Sequence, residues 1–212
     1  IEEEGERLAE VKGISERKAR DIVVQFQEKQ EMRNAMMFLT QYGIATNFAA
    51  KIYKEYGDDL YGIIKKNPYQ LAEDIHGIGF KIADEIAEKV GIGSSSEFRI
   101  HSGILYTLQQ GVAAGHVYLP KELLCQKAAQ ILSLEPAMIE TQMMNLVMDG
   151  KIMAKTGEDG EMIYLSQYYS MELNTAKMLW DLNVDYKVSD EELASTIEKV
   201  EGKSEMKLDT MQ

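Results

Sequence analysis

Two glycines that flank an isoleucine, Gly77-Ile78-Gly79, form the motif with the clearest chemical potential in this sequence. Glycines let a backbone turn tightly and approach another molecule closely. Apolar residues recur at helical spacing directly after the motif, so its amides lie near the positive end of a helix dipole. Such helix starts bind anions. We therefore predict that Gly77, Ile78 and Gly79 bind a phosphate through backbone amides, with Lys81 as the neighbouring cation.

The same pattern occurs twice upstream, so the chain contains a first hairpin (residues 13–15), a second hairpin (43–45) and a third hairpin (77–79). Each copy has an alanine six residues and an isoleucine nine residues after its first glycine. This spacing predicts three helix-hairpin-helix units, in which the alanine allows close helix packing and the isoleucine faces a shared core. Compact hairpins used only for packing are the alternative for any single copy. The tandem arrangement favours nucleic-acid binding.

The three hairpins differ in the residues available to a phosphate. The third has both glycines and a lysine, so we rank it first. The first combines Gly13 and Ser15 with Arg17 and Lys18, and we rank these four residues second as a DNA-binding group. The second has alanine in place of the second glycine and Asn47 at the cation position, which predicts a mainly structural role. The charged residues could equally be solvated helix faces.

The pattern changes after a small, flexible segment at residues 91–96, GIGSSS, which indicates a boundary. A helix, a short strand, a helix that begins at Pro120, another helix with Pro136 early in it, and a β-hairpin follow, an order typical of a winged helix. The helix from Pro136 to Met148 has no Lys or Arg and the wing is acidic, so we predict that this module packs or contacts protein.

The predicted fold class is mainly α, with tandem helix-hairpin-helix units followed by a winged-helix-like α+β module. Residues 1–92 form the first domain and residues 98–182 the second. Residues 183–212 form a linker.

The formal net charge of −12 at pH 7 argues against a uniformly basic DNA-binding protein. The acidic excess lies mainly at the two ends of the chain, and residues 7–90 contain 13 basic and 13 acidic side chains. The segment with the hairpins is therefore neutral overall and can carry a local basic face.

Several kinds of chemistry lack a signal in the sequence. Cys125 is the single cysteine, and its apolar helical setting predicts a buried structural thiol. The three histidines have no metal-ligand spacing, and Gly202-Lys203-Ser204 lacks the upstream glycine of a phosphate-binding loop. We therefore predict no catalytic residue, no metal and no cofactor in this chain by itself. The sequence has neither a membrane-spanning apolar run nor a signal peptide, so we expect a cytoplasmic protein without membrane contact.

The order of parts resembles the N-terminal region of RecD-like (RecD/TraA type) superfamily 1 DNA helicases, upstream of the ATPase motor. The stretches NPYQLAEDIHGIGFKIADEIAEKVGI, FRIHSGILYTL and GHVYLP carry this resemblance, together with the wing through MIYLSQYY. It implies a bacterial, ATP-dependent 5′–3′ DNA helicase active in DNA repair or recombination, whose motor binds ATP and Mg²⁺ and lies beyond Gln212. In that family the motor begins with a glutamine that contacts adenine, and the resemblance gives this role to Gln212. We expect the chain to be a piece of a longer protein that does not hydrolyse ATP alone.

Two functions from different classes follow. The leading hypothesis is a sequence-independent DNA-binding accessory region that contacts the backbone of single strands or duplex junctions and adjoins the motor domains of its own chain. The alternative is a protein-interaction scaffold that docks on the motor or a partner without binding DNA, which the net acidity favours. Tight partner binding without DNA affinity at low salt would discriminate the second from the first. An independent enzyme would require activity in the isolated piece.

Overall fold

The computed structural model describes residues 8, 11–12, 14–158, 160–183, 188–204 and 207. The helices within these residues are α1 (Glu16–Gln41), α2 (Thr46–Tyr56), α3 (Leu60–Lys66), α4 (Gln70–Asp74), α5 (Phe80–Val90), α6 (Glu97–Ala113), α7 (Lys121–Leu132), α8 (Pro136–Met148), α9 (Ser166–Leu182) and α10 (Asp190–Ser204). The strands are β1 (Tyr118–Pro120), β2 (Ile152–Gly157) and β3 (Gly160–Leu165). The predicted mainly α fold class is confirmed.

The three predicted hairpins lead into α1, α2 and α5 through the same local geometry. The third residue of each hairpin has an extended backbone and serves as the N-cap. Its carbonyl accepts the amide of the repeated alanine at 2.9 to 3.1 Å, from Ala19 to Ser15, from Ala49 to Ala45 and from Ala83 to Gly79. An extended N-cap suits serine and alanine as well as glycine, since its φ is negative. The missing second glycine therefore leaves the start of the helix unchanged.

The repeated isoleucine faces a core in only two of the three units. Ile52 and Ile86 are 0% and 2% exposed, whereas Ile22 is 39% exposed. The prediction for Ile22 is wrong because the buried residues of α1 are Ala19, Ala35 and Leu39. Burial of α1 is thus concentrated near the second hairpin, and the middle of this helix has little packed against it.

Helix α5 lies between two hydrophobic cores. Ile86 and the hairpin residue Ile78 belong to a core that also contains buried residues of α1 to α4. Phe80, Ala83 and Ala87 lie on another face of α5 and belong to a core built mainly by α6, α7, α8 and the sheet. An amphipathic helix buries one stripe, and α5 instead buries two. Helix α5 therefore packs against both the hairpin region and the following module.

Arg99 on α6 links these two regions by hydrogen bonds. Its Nε and Nη2 donate to the two carboxylate oxygens of Asp84 on α5, at 2.8 and 3.0 Å. Its Nη1 donates to the carbonyls of Ser94 and Leu132, at 3.1 and 2.8 Å. The hydroxyl of Tyr69 donates to Asp84 at 2.6 Å. The planar guanidinium of Arg99 thus binds the two carboxylate oxygens of Asp84 in a bidentate manner.

This pairing also shifts the acid–base properties of its members. The hydrogen bonds to Asp84 raise the pKa of the Arg99 guanidinium further above its already high value. Burial, followed by the hydrogen bond to Asp84, raises the pKa of the Tyr69 phenol. Both side chains therefore keep their protons throughout the physiological range, and the linkage does not depend on pH there.

Residues 97–165 have the element order predicted for a winged-helix-like module. The antiparallel sheet has the order β1-β3-β2, with Leu119 opposite Ile163 and Ala154 opposite Ile163 on the other side. Pro136 lies early in a helix, as predicted, and is the first residue of α8. Pro120 does not begin a helix as predicted: it pairs with Met162 as the last residue of β1 and precedes α7. A proline suits the end of a strand as well as the start of a helix, because it has no backbone N–H that would need an acceptor.

Lys121 at the start of α7 connects two further elements of this module. Its Nζ lies 2.8 Å from Glu140 of α8 and 3.0 Å from Glu161 of β3. The hydrogen bonds to these two carboxylates, that to Glu140 first, raise the pKa of the lysine. The acidic side chains near the wing are thus partly engaged within the module.

Chain contacts separate residues 1–169 from residues 170–212. The second unit contains most of α9, from Ser170 onward, and all of α10, and Trp180 in α9 is exposed. Gly202 and Lys203, which resemble part of a phosphate-binding loop, lie inside α10. Gln212 lies outside the described residues, as does its predicted adenine contact. The division into residues 1–92, 98–182 and 183–212 stays a prediction.

Cys125 is buried in α7 with 7% of its surface exposed, which confirms the predicted setting of the thiol. Burial raises its pKa, so the reactive thiolate is scarce near neutral pH. We expect a disulfide reagent such as Ellman's reagent to modify native Cys125 at least about a hundredfold more slowly than the urea-unfolded chain, since reaction requires opening of the core. Equal rates in the two states would contradict this packing.

Candidate nucleic-acid interface

The third hairpin offers its backbone to a ligand and keeps its apolar side chain inside. Gly77 has a φ of 98°, which side-chain-bearing residues rarely adopt. The side chain of Ile78 is 3% exposed, and its amide donates to the carbonyl of Ile75 at 3.0 Å. Ile78 therefore orients the hairpin and leaves its own amide unavailable. The amides of Gly77 and Gly79 in this hairpin have no backbone acceptor among the described residues, so they are available to a ligand.

Helix α5 begins immediately after this hairpin and no side chain caps it. Its first-turn amides lack intrahelical partners, as in every helix, and add to the local positive potential. Lys81 is exposed at the second helical position. The first hairpin differs because the hydroxyl of Ser15 accepts the amide of Lys18 at 3.4 Å. The first turn of α5 therefore has no amide bound by a capping side chain, whereas the first turn of α1 has one.

A lysine from another unit reaches the third hairpin, which the sequence reasoning missed. Nζ of Lys51 in α2 donates to the carbonyl of His76 at 3.2 Å. The same ammonium lies 5.7 Å from the centroid of the Phe48 ring. A Cβ on Gly77 would lie 3.1 Å from Cε1 of Phe48, so the glycine permits this close approach. Two lysines, Lys51 and Lys81, thus flank the backbone of the third hairpin.

The second hairpin has a matching arrangement in the opposite direction. Nζ of Lys89 in α5 donates to the carbonyl of Tyr42 at 3.1 Å. Gly43 has a φ of 76°, and a Cβ there would clash with this ammonium. In both hairpins the acceptor is the carbonyl just before the first glycine. The second hairpin therefore has a cation although Asn47 occupies the position where the third hairpin has Lys81.

The first hairpin is the least defined of the three. Gly13 lies outside the described residues, so its predicted role stays a prediction. Ser15 is the N-cap of α1, and Arg17 and Lys18 are exposed in the first turn. These side chains can reach a ligand in solvent, but their contact with DNA remains a prediction.

The tyrosines of α2 and α3 form part of the packing around this site. Tyr53, Tyr56 and Tyr61 are partly buried against the hairpin core. Tyr61 packs edge-on against Phe38 with ring centroids 4.7 Å apart. Burial, followed by the hydrogen bond to Asp74, raises the pKa of the Tyr56 phenol. Their rings therefore hold the hairpins in place.

Helix α8 of the second module presents methionines instead of cations. Met144 and Met148 are 65% and 79% exposed, and no Lys or Arg occurs between residues 136 and 148. A helix that reads DNA contacts phosphates and base edges mainly with polar and basic side chains. The basic residues around the second and third hairpins are therefore the stronger candidates for a nucleic-acid interface.

Other kinds of site have less support within the described residues. No group of three or more His, Cys, Asp or Glu side chains there could hold a metal ion. Among the helices of the same residues, none is long and apolar enough to cross a bilayer.

The geometry defines a mainly α protein with tandem helix-hairpin-helix units, the second and third of which pack reciprocally. Comparison with known proteins shows which family these units resemble. Residues 28–118 match the family model described as the HHH domain of the ATP-dependent RecD2 DNA helicase. The resemblance to the N-terminal region of RecD-like helicases is thereby confirmed.

A curated relative supports the same assignment over a longer alignment. The chain is 28% identical over 122 residues to a protein of Deinococcus radiodurans described as an ATP-dependent RecD2 DNA helicase. The aligned part covers 57% of this chain and 17% of that relative. The chain is thus similar to a region that makes up about a sixth of the length of that helicase.

Proposed function

We propose that this chain is a sequence-independent DNA-binding region of an ATP-dependent 5′–3′ DNA helicase. In this proposal the third hairpin binds a backbone phosphate with the amides of Gly77 and Gly79 and with Lys81. Lys51 and Lys89 supply additional cations at the third and second hairpins. Phosphate contacts of this type position a protein on DNA without reading its sequence.

The reciprocal lysine contacts are the observation that carries the proposal. Lys51 and Lys89 each donate to the carbonyl that precedes a hairpin glycine, at 3.2 and 3.1 Å. A carbonyl is a weak partner for an ammonium compared with a phosphate, because charge-assisted bonds between two ions are stronger. Each lysine can therefore turn from the carbonyl to a phosphate at the same hairpin. The net charge of −12 does not oppose this, since the residues that carry it lie largely elsewhere.

The resemblance to RecD-like helicases supplies the rest of the proposed context. The partners are the backbone of single-stranded DNA or of a duplex junction and the motor domains of the same chain. Those motor domains would bind ATP and Mg²⁺, with Gln212 near adenine, and act in DNA repair or recombination in the bacterial cytoplasm. This chain would then direct the strand without hydrolysing ATP.

Fluorescence anisotropy of labelled DNA, titrated with the chain across a salt series, tests the proposal. Each lost phosphate contact should reduce the log–log slope by about 0.9 on duplex and about 0.7 on single strands. We expect Lys51→Gln, Lys81→Gln and Lys89→Gln each to reduce the slope by about one such unit and to weaken binding similarly on unrelated sequences.

Lys54→Gln is the matched control, because Lys54 is an exposed lysine of the same helix as Lys51. It removes the same charge without removing a bond to a hairpin carbonyl. The proposal fails if wild-type protein binds no DNA at low salt. The proposed phosphate contact of Lys51 at the third hairpin is contradicted if Lys54→Gln changes the log–log slope as much as Lys51→Gln does.

The exposed methionines of α8 favour a second candidate function, a protein-interaction scaffold. Exposed apolar side chains without neighbouring cations are typical of protein contacts. Under this alternative the chain binds the motor or another protein tightly through α8 and binds no DNA at low salt. Replacing Met144 and Met148 with glutamine would then abolish partner binding.

A further inference from the structure

A cleft of about 360 Å³ lies beside the third hairpin, and the phosphate contacts proposed above do not use it. It is bounded by the α4–α5 region, by α6 and by the start of α9. Gly79 belongs to both the hairpin and the lining of the cleft. The volume is at the lower end of the range for small-molecule sites, about 300 to 1,000 Å³. The cleft therefore suits one small group held next to a phosphate at the hairpin.

Aromatic rings form one wall of this cleft. Phe80 and Tyr106 lie nearly parallel, with centroids 5.3 Å apart and planes 24° apart. Tyr69 continues the stack behind Phe80 at 6.1 Å and 20°. Phe80 is 5% exposed, whereas Tyr106 is partly exposed and lines the cleft. The stack fixes the orientation of Tyr106 and offers a flat surface to a planar ligand.

Polar side chains surround the rings at the mouth and floor. Gln109 and Gln167 are exposed at the mouth, and their amides both donate and accept hydrogen bonds. Ser102 lies at the floor with 9% exposure. Lys151 forms an ion pair with Glu73 at the edge, so its charge is already compensated. The lining is thus close to neutral, with amides and a hydroxyl rather than free charges.

We propose that this cleft receives one unstacked nucleobase of a single strand whose phosphate is bound at the third hairpin. The inference rests on the proposed DNA-binding function and specifies its substrate as single-stranded DNA. A base is planar, uncharged and edged with donors and acceptors, which matches a ring wall with amides around it. An apolar peptide side chain would offer no hydrogen bond to the hydroxyl of Ser102 at the floor of the cleft. A base inside a duplex is stacked and cannot enter.

The test compares two labelled strands of about ten nucleotides, a length within the site size of single-strand binders. One is oligothymidine, and the other has the same phosphates but abasic sugars throughout. Both are titrated with the whole chain at several salt concentrations. We expect oligothymidine to bind about tenfold more tightly, as for one base stacked on an aromatic ring, with the same salt slope for both strands.

Variants assign the difference to the cleft. Tyr106→Leu removes the ring and should reduce the preference for oligothymidine to about twofold or less, whereas Tyr106→Phe should retain it. Because Tyr106 also contacts the core, a second variant on an exposed residue, Gln109→Ala, provides an independent test. This variant should lower the preference for oligothymidine by a factor of about three. Gln110→Ala is its matched control, since Gln110 is exposed on the same helix and does not line the cleft.

The outcomes separate this inference from the proposed function. Equal binding of the two strands overturns the base site and leaves phosphate binding at the hairpins intact. A preference that survives both Tyr106→Leu and Gln109→Ala also overturns the base site, because the base is then bound elsewhere. No binding of either strand overturns both proposals. A preference that is reduced in these two variants by the expected amounts and kept in Tyr106→Phe and Gln110→Ala supports the inference.

Discussion

Replacing Arg99 with leucine should lower the free energy of unfolding by about 3 kcal/mol, the lower end of the range for breaking a buried ion pair. The side chains of Arg99 and Asp84 are 15% and 26% exposed, so solvent compensates only part of the loss. The change leaves Asp84 with the Tyr69 hydroxyl and removes the donor to the carbonyl of Leu132. Urea denaturation of the wild type and the variant measures the difference, and a fall in melting temperature of roughly 6 to 12 °C should accompany it.

Two further variants make this test specific. Arg99→Lys keeps the charge but loses the fork, so it should destabilise by an intermediate amount. Arg20→Leu removes an arginine whose contact with Glu16 is 3.9 Å long and whose side chain is 78% exposed. Surface pairs of this kind contribute about 0 to 1 kcal/mol. The stabilising role of the Arg99–Asp84 pair is refuted if Arg99→Leu lowers the free energy of unfolding no more than Arg20→Leu does.

Replacing Gly77 with valine should weaken DNA binding about tenfold or more, whereas Gly79→Ala should change it less than about twofold. Gly77 has a φ of 98°, and a β-branched residue there is strained by about 1 to 3 kcal/mol. Its Cβ would also approach Phe48 to 3.1 Å and displace the hairpin. Gly79 has a φ of −102°, and an added Cβ would meet nothing within 4 Å. Anisotropy titrations with a single-stranded and a duplex probe measure both effects.

The control separates hairpin geometry from general destabilisation. Gly57 also has a positive φ, 52°, and nothing lies within 4 Å of a Cβ placed there. Gly57→Val therefore introduces comparable backbone strain at the end of α2, outside the three hairpins. It should reduce the melting temperature but leave DNA affinity per folded molecule unchanged. Folded Gly77→Val protein with wild-type affinity would rule out a role of the third hairpin.

The parts of the fold that the sequence predicted are those set by short-range rules. The repeated glycine, alanine and isoleucine positions predicted the hairpins before α1, α2 and α5, because turn and helix geometry repeat over ten residues. Pro136 likewise lies early in a helix, as predicted, and is the first residue of α8. The same rules placed Pro120 at the start of a helix, and that prediction is wrong because a proline serves equally well at a strand end and before a helix.

The parts that the sequence did not predict depend on residues far apart in the chain. Lys51 and the carbonyl of His76 are 25 residues apart, and Lys89 and the carbonyl of Tyr42 are 47 residues apart. No local spacing identifies such partners, and a lone lysine on a helix is usually solvated. Ile22 shows the converse, because its position in the repeat was identified correctly and its burial depended on packing that α1 does not receive there.

The hydrogen bonds of Arg99 determine how a force on bound DNA would act on the rest of the molecule. Arg99 holds Asp84 of α5, the carbonyl of Ser94 and the end of α7 together, across the segment at residues 91–96. Helix α5 begins at the third hairpin and also packs into the core of the sheet. If DNA is bound at that hairpin as proposed, a force on the DNA acts on α5 and through it on the core that contains the β-sheet, because α5 packs into both hydrophobic cores.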